Sequence, residues 1–175
     1  MLSILQLIVD AAATVLGGVL LLRFWMQAIR VRPPASVAQF TFTLSDWLVR
    51  PLRRLVPGVG GYDWASLIGA FLVVMLATSV LFLAGLPGQT VFLMAVYRFL
   101  NWILYGFMAL LIIDAIFSWV NPHAPLAPLV RALNDPLLRP LRRVVPLLGG
   151  LDLSLLVALI LLQIAQLLLR MAFGF

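Results

Sequence analysis

Four stretches of this sequence are each long and apolar enough to cross a lipid bilayer, and they constrain the fold more than any other feature. A spanning α-helix needs about 20 predominantly apolar residues to cross about 30 Å of hydrocarbon. The stretches run from Leu2 to about Gln27, from Trp64 to about Leu83, from Val91 to about Trp119 and from Leu153 to about Phe173. The sequence therefore predicts an all-α membrane protein with four transmembrane helices.

The amino-acid inventory excludes most kinds of active site. The chain has no Cys, Lys or Glu and a single His, so it lacks thiol nucleophiles, Schiff-base lysines, glutamate acid–base pairs and multi-histidine metal sites. We expect no enzymatic activity, no cofactor, and no catalytic or metal site. The twelve arginines do not indicate nucleic-acid binding, because basic residues of membrane proteins gather at the cytoplasmic surface.

The chain repeats itself at an offset of 89 residues, which aligns Leu44 with Leu133. From Leu44 to Asp63, 13 of 20 positions are identical to their counterparts, and shared apolar bias does not explain coincident Asp, Arg, Pro and Gly. We predict two repeats, residues 1–86 and 87–175. Each holds an even number of spanning helices, so the repeats enter the membrane in the same direction. Such parallel repeats suggest a pseudo-twofold axis along the membrane normal.

Arginine placement predicts the orientation of the chain. Ten of the twelve arginines lie in or beside the two long connections, and only Arg98 and Arg170 oppose this distribution. The positive-inside rule makes both connections cytoplasmic, and it places both chain ends in the periplasm. Compartment-sensitive reporters fused to the two ends would overturn this orientation if both ends proved cytoplasmic.

Each long connection contains apolar residues at helical spacing. We predict an amphipathic cytoplasmic helix at the membrane interface in each repeat, with its apolar stripe in the acyl boundary or against the bundle. A short soluble-loop helix packed on the bundle fits the same pattern. The stripes are Val37, Phe40, Leu44, Trp47 and Leu48 in the first connection, and Leu126, Leu129, Leu133 and Leu137 in the second.

An Arg-Pro-Leu-Arg-Arg segment follows each stripe. Its arginines share one side if the turn is helical, and a twofold axis would join the two sets into one cytoplasmic surface. This surface could hold anionic lipid head groups or a partner, each arginine contributing about 1 kcal/mol near an anionic leaflet. Alternatively, the arginines only anchor topology. The candidate residues are Arg50, Arg53, Arg54, Arg139, Arg142 and Arg143.

Aspartates near these arginines have structural interpretations. Asp46 precedes Arg50 by four residues and Asp135 precedes Arg139 by four, a spacing that favours weak local ion pairs. Gly-Gly-x-Asp sequences ending at Asp63 and Asp152 precede apolar stretches. We predict that these two aspartates cap the helices that follow.

Charged residues also lie inside the predicted spans. The offset of 89 places Asp10 within one residue of the depth of Arg98, and Arg23 within two residues of the depth of Asp114. An unpaired charge at mid-membrane costs about 2.5–3.5 kcal/mol on insertion scales. We therefore predict two intramembrane ion pairs across the central axis, Asp10 with Arg98 and Arg23 with Asp114. A proton or cation site at Asp10 or Asp114 is the functional alternative.

With these residues in view, the chain resembles the YggT family, also called YlmG-like, over nearly its whole length. The resemblance is carried by Leu20–Gln27, Ser118-Trp119, Asp135–Pro146 and Gly149–Ser154. The first repeat departs from the family pattern at Trp47, where Pro is usual, and at Ala65, the counterpart of Ser154.

This resemblance implies a bacterial inner-membrane protein. Related members are linked to osmotic or cation stress tolerance, to cell division and nucleoid distribution, and, in plastids, to haem attachment on a cytochrome b-type subunit. It implies no catalytic residues.

Two functions remain open from the sequence. The first is a non-enzymatic assembly or scaffold factor, or a stress-tolerance factor, whose arginine surface contacts anionic lipid or other membrane proteins. The second is a small channel or transporter component in osmotic or cation adaptation, acting as a homo-oligomer around Asp10 and Arg98. Ion flux in reconstituted liposomes separates them, because a scaffold predicts none.

Overall fold

A computed structural model describes residues 2–145 and 153–174 of the chain. This part is all-helical, with no strand, and one 3-10 helix over Val80–Ala84 continues the third α-helix. The six α-helices are α1 Leu2–Ala28, α2 Ala35–Leu55, α3 Trp64–Ser79, α4 Gly88–Val120, α5 Ala127–Leu141 and α6 Ser154–Phe173.

Four of these helices are long and apolar enough to cross a membrane: α1, α3 with its 3-10 extension, α4 and α6. They coincide with the four apolar stretches, so this coarse prediction is confirmed. At about 1.5 Å per residue, the 33 residues of α4 extend about 50 Å, well beyond the hydrocarbon thickness. The helix therefore tilts or projects from the bilayer.

The spanning helices α1, α3 and α4 all contact one another, and α6 packs on α4 at the edge of this group. α1 packs most extensively on α3, α3 on α4, and α4 on α6. If the two repeats were related by symmetry, the contact between α3 and α4 would have a counterpart between α6 and α1. Within the described ranges, α6 makes no comparable contact with α1. These contacts between described residues do not follow the expected pseudo-twofold symmetry, and α6 lies at the edge of the bundle.

The two shorter helices use different faces against the bundle. α5 buries Leu129 and Leu133 of its predicted stripe. α2 fully buries Thr41, Ser45 and Val49. In its predicted stripe, Val37 and Leu48 are partly buried against the core, while Phe40 and Trp47 are exposed. Small residues allow closer approach of two backbones, so α2 lies against α1 and α3 through its small-residue face.

A glycine on α1 receives an aromatic ring of α4. A Cβ atom added at Gly17 would lie 2.2 Å from Cζ3 of Trp102. We expect Gly17→Ala to lower the free energy of unfolding by about 1–3 kcal/mol, because a rigid indole must move to admit the methyl group. Unfolding in mixed detergent micelles, followed by circular dichroism, measures the change.

Gly18 provides a matched control for this substitution. It lies on the same helix, and an added Cβ would meet no atom within 4 Å. We expect Gly18→Ala to be neutral or slightly stabilising, because Ala is the better helix former. Equal destabilisation by both substitutions would mean that the contact with Trp102 is not the cause.

Candidate functional site

A buried charge cluster joins α1, α2 and the start of α3. We call Arg23, Asp46, Arg53 and Asp63 the Arg23 cluster. Nη1 of Arg23 donates to Oγ of Ser45 at 2.5 Å and to Oδ1 of Asp46 at 2.7 Å. Arg53 donates to both carboxylate oxygens of Asp63, at 2.6 and 3.2 Å. Two positive and two negative charges therefore balance within the cluster.

Burial makes this balance energetically important. Arg23 is 5% exposed and Asp63 is 2% exposed, and Nε of Arg23 lies 3.5 Å from Oδ2 of Asp63. Burial alone raises the pKa of Asp63, but hydrogen bonds from Arg53 and Ser66, with the charges of Arg53 and Arg23, outweigh it and hold this pKa below its ordinary value. The hydrogen bond from Arg23 lowers the pKa of Asp46 as well. Both carboxylates are ionised at neutral pH.

The predicted ion pair between Arg23 and Asp114 is wrong. Residues two apart on a helix point about 200° apart. Trp25 faces α4 and α5, where its ring packs on Phe107 and its Nε1 donates to the carbonyl of Leu133. Arg23 consequently faces the opposite direction, towards α2 and α3, and cannot reach Asp114.

The predicted cap at Asp63 is right in position and wrong in mechanism. Asp63 directly precedes α3, but its side chain makes no hydrogen bond to the backbone of the first turn. The carboxylate instead accepts from Arg53 and from the hydroxyl of Ser66, while the carbonyl of Asp63 accepts from the amide of Ser66. Asp152, the other predicted cap, lies outside the described residues.

An ion pair joins α1 to α4 within the predicted spans. Nη2 of Arg98 lies 2.5 Å from Oδ1 of Asp10, and Nη1 of Arg98 lies 3.4 Å from Oγ1 of Thr78 on α3. These contacts tie three spanning helices together. Each charge of the pair is neutralised by the other, so the geometry favours a structural role here over an open cation site.

A cavity of about 880 Å³ opens between α4, α5, the start of α6 and the connection after α1. We call it the basic cavity. Three arginines of α5 and of the turn that follows it line its walls, together with two aspartates. Its polar lining residues are Asp114, Ser118, Arg131, Asp135, Arg139 and Arg142.

Asp114 is the unusual charge of the basic cavity. It is 5% exposed, and the only partner it has among the described residues is Asn134, whose Nδ2 donates to Asp114 at 3.2 Å and to the carbonyl of Leu110 at 2.9 Å. Asp135, by contrast, pairs with Arg139 at 2.5 Å on the same helix. Arg131 has no ion-pair partner in the part of the chain that the structure describes, so the cavity presents a cation to whatever enters it.

The six predicted arginines do not share one cavity. Arg139 and Arg142 line the basic cavity, whereas Arg53 lines a smaller one of about 430 Å³ beside Arg23. Arg50 pairs with Asp46 at 2.8 Å, at the predicted spacing of four residues. Arg54 and Arg143 are exposed and line neither cavity.

Arg131 was not among the predicted binding residues. Its sequence signal is the series Arg131, Asp135, Arg139 and Arg142, whose spacing of four, four and three residues places every member on one side of a helix. No sequence pattern indicates that Asp114 lines the same cavity, because Asp114 belongs to α4 and not to α5.

These features define a small, all-helical membrane protein with charged clusters where its shorter helices meet the bundle. The CCB3/YggT family profile matches residues 1–84 and 93–173. The chain therefore belongs to the CCB3/YggT family.

Curated bacterial relatives agree with this assignment. The chain is 38% identical to an uncharacterised protein of Pseudomonas aeruginosa over 157 residues, covering 86% of this chain and 80% of the relative. It is 32% identical to the uncharacterised protein YggT of Escherichia coli over 154 residues, covering 83% and 78%. A Vibrio alginolyticus protein encoded in the proC 3′ region is 34% identical over 157 residues, covering 85% and 83%. No solved structure matches the chain.

Proposed function

We propose that this protein is a non-enzymatic scaffold or assembly factor of the bacterial inner membrane, and that its basic cavity binds the phosphate of an anionic lipid head group. The observation that carries the proposal is the convergence of Arg131, Arg139 and Arg142 on one cavity at the end of α4. Guanidinium groups are suited to phosphate, because their planar donors match its oxygens.

The proposed orientation supports a lipid as the ligand. With α2 and α5 on the cytoplasmic side, the basic cavity lies at the level of the inner-leaflet head groups. Ile29, Val31 and Leu155 contribute apolar lining beside the arginines. A head group attached to acyl chains matches such a mixed wall better than a free anion does. The proposal includes the parallel-repeat organisation, which the two separate matches of the family profile support.

A double substitution tests this proposal by removing two positive charges from the basic cavity. We expect the double variant Arg131→Ala/Arg142→Ala, purified in mild detergent, to bind phosphatidylglycerol and cardiolipin about 30-fold more weakly than the unaltered protein. Each arginine contributes about 1 kcal/mol to anionic lipid binding near the head groups. Native mass spectrometry counts the lipids bound per chain.

Two variants serve as controls. Arg143→Ala removes the same charge one residue away, from a side chain that does not line the cavity, and should leave lipid retention unchanged. Asp114→Asn removes the opposing charge from the cavity wall and should raise retention. Equal lipid loss in the Arg143 variant would reduce the effect to general surface charge. Retention of a protein partner in place of lipid would contradict the lipid assignment.

A further inference from the structure

The outer face of α6 carries a polar side chain at the middle of the membrane. α6 lies at the edge of the bundle, where it packs on α4 and α5. Its buried residues include Ala158 and Leu162, which contact the core around Leu111. Gln163 follows Leu162 directly, is exposed, and is the tenth of the twenty residues of α6. In a bundle that spans a bilayer, an exposed side chain at the middle of a spanning helix faces hydrocarbon.

The amide of Gln163 has no hydrogen-bond partner in the described part of the chain. Water is scarce at this depth, so an amide there gains from hydrogen bonding to another helix. The monomer offers no such helix on this side.

The residues around Gln163 form a regular seam, which we call the α6 seam. Leu156, Ile160, Gln163 and Leu167 follow one another at spacings of four, three and four residues. This is the spacing of positions that face a partner helix in a left-handed helix pair, and all four side chains are exposed. Arg170 continues the spacing in the last turn, where water screens its charge.

We propose that two copies of this chain pair through the α6 seam, with the two Gln163 amides hydrogen-bonded across a twofold axis along the membrane normal. A carboxamide carries both a donor and an acceptor, so two copies of it satisfy each other. Two copies in one membrane share one orientation, so the paired α6 helices are parallel and equivalent seam residues meet. A single polar residue within an otherwise apolar seam fixes the register of such a pair.

The absence of cysteine from the sequence permits a direct test by disulfide cross-linking. Single cysteines are introduced at Ile160→Cys, on the seam, and at Leu168→Cys, which is exposed about 80° around the same helix. We expect oxidation in native membranes to give a covalent dimer of twice the chain mass for Ile160→Cys, and little product for Leu168→Cys. Equal yields at the two positions would overturn the proposed seam.

The role of the amide is tested by adding a second substitution to the Ile160→Cys protein. Gln163→Leu should lower the cross-linking yield about fivefold, in line with the modest strength of interhelical hydrogen bonds in membranes. Gln163→Asn, which keeps the carboxamide, should retain more of the yield. Circular dichroism unfolding verifies that Gln163→Leu leaves the monomer folded. An unchanged yield in Gln163→Leu, or a product with the mass of a different protein, would contradict the proposal.

Discussion

Replacing Asp63 with Ala is expected to lower the free energy of unfolding by about 3 kcal/mol. Breaking a buried ion pair by removing one partner costs about 3–5 kcal/mol, because the remaining charge stays buried. The lower end of this range applies here, because Arg23 keeps Asp46 and Ser45, and because Arg53 is half exposed and regains water. Sodium dodecyl sulfate titration of protein in mixed micelles measures the loss.

The substitution Asp63→Asn makes a prediction about pH. The pKa of Asp63 is lowered in the folded protein, so its contribution to stability is present above the ordinary aspartate pKa and is lost as the pH falls through the lowered value. We therefore expect the difference between Asp63→Asn and the unaltered protein to be full at pH 7 and to shrink below about pH 4. A difference in stability that increased as the pH fell would contradict this prediction.

Asp135→Ala is the matched control for Asp63→Ala. It also removes an aspartate paired with an arginine, but that pair lies four residues apart on one helix, with Arg139 largely exposed. Exposed pairs of this kind contribute about 0.3–0.5 kcal/mol. If both substitutions destabilised the protein equally, burial of the Arg23 cluster would not be the source of the effect.

The sequence correctly predicted those features that depend only on position along the chain. Length and hydropathy locate the four spanning helices, and the offset of 89 residues gives the relative depth of charges in equivalent helices. Depth placed Asp10 beside Arg98, and the structure joins them. The same depth argument paired Arg23 with Asp114, but in the structure Arg23 binds Asp46 and Asp114 accepts from Asn134. The direction of a side chain around its helix depends on which neighbours that helix has, and no depth argument supplies it.

The buried face of α2 shows a second limit of the sequence. The apolar stripe of α2 was predicted to lie in the acyl boundary or against the bundle, and the pattern could not choose between them. Lipid is as apolar as the protein interior, and close packing of helices favours small residues. The structure buries Thr41 and Ser45 and exposes Phe40 and Trp47, a division that the sequence pattern did not predict. The basic cavity could not be predicted from the sequence either, because Asp114 reaches it only through tertiary packing.

Replacing Asp10 or Arg98 alone with Leu is expected to destabilise the protein by about 2–3 kcal/mol. Either change leaves an uncompensated charge within the spans, where insertion scales assign about 2.5–3.5 kcal/mol to a central charge. Asp10 and Arg98 are 29% and 24% exposed, so snorkelling to the interface recovers part of this cost. Unfolding in mixed micelles again provides the measurement.

The double variant Asp10→Leu/Arg98→Leu tests whether the two charges act as a pair. It leaves neither charge behind, and leucine is compatible with both lipid and packed helices, so we expect it to be more stable than either single variant. Strong non-additivity is the signature of a direct contact, whereas independent sites add. Additive losses would mean that each residue acts through other neighbours. Liposomes containing the stable double variant then test the channel hypothesis, because a cation site at Asp10 would require the carboxylate that this variant lacks.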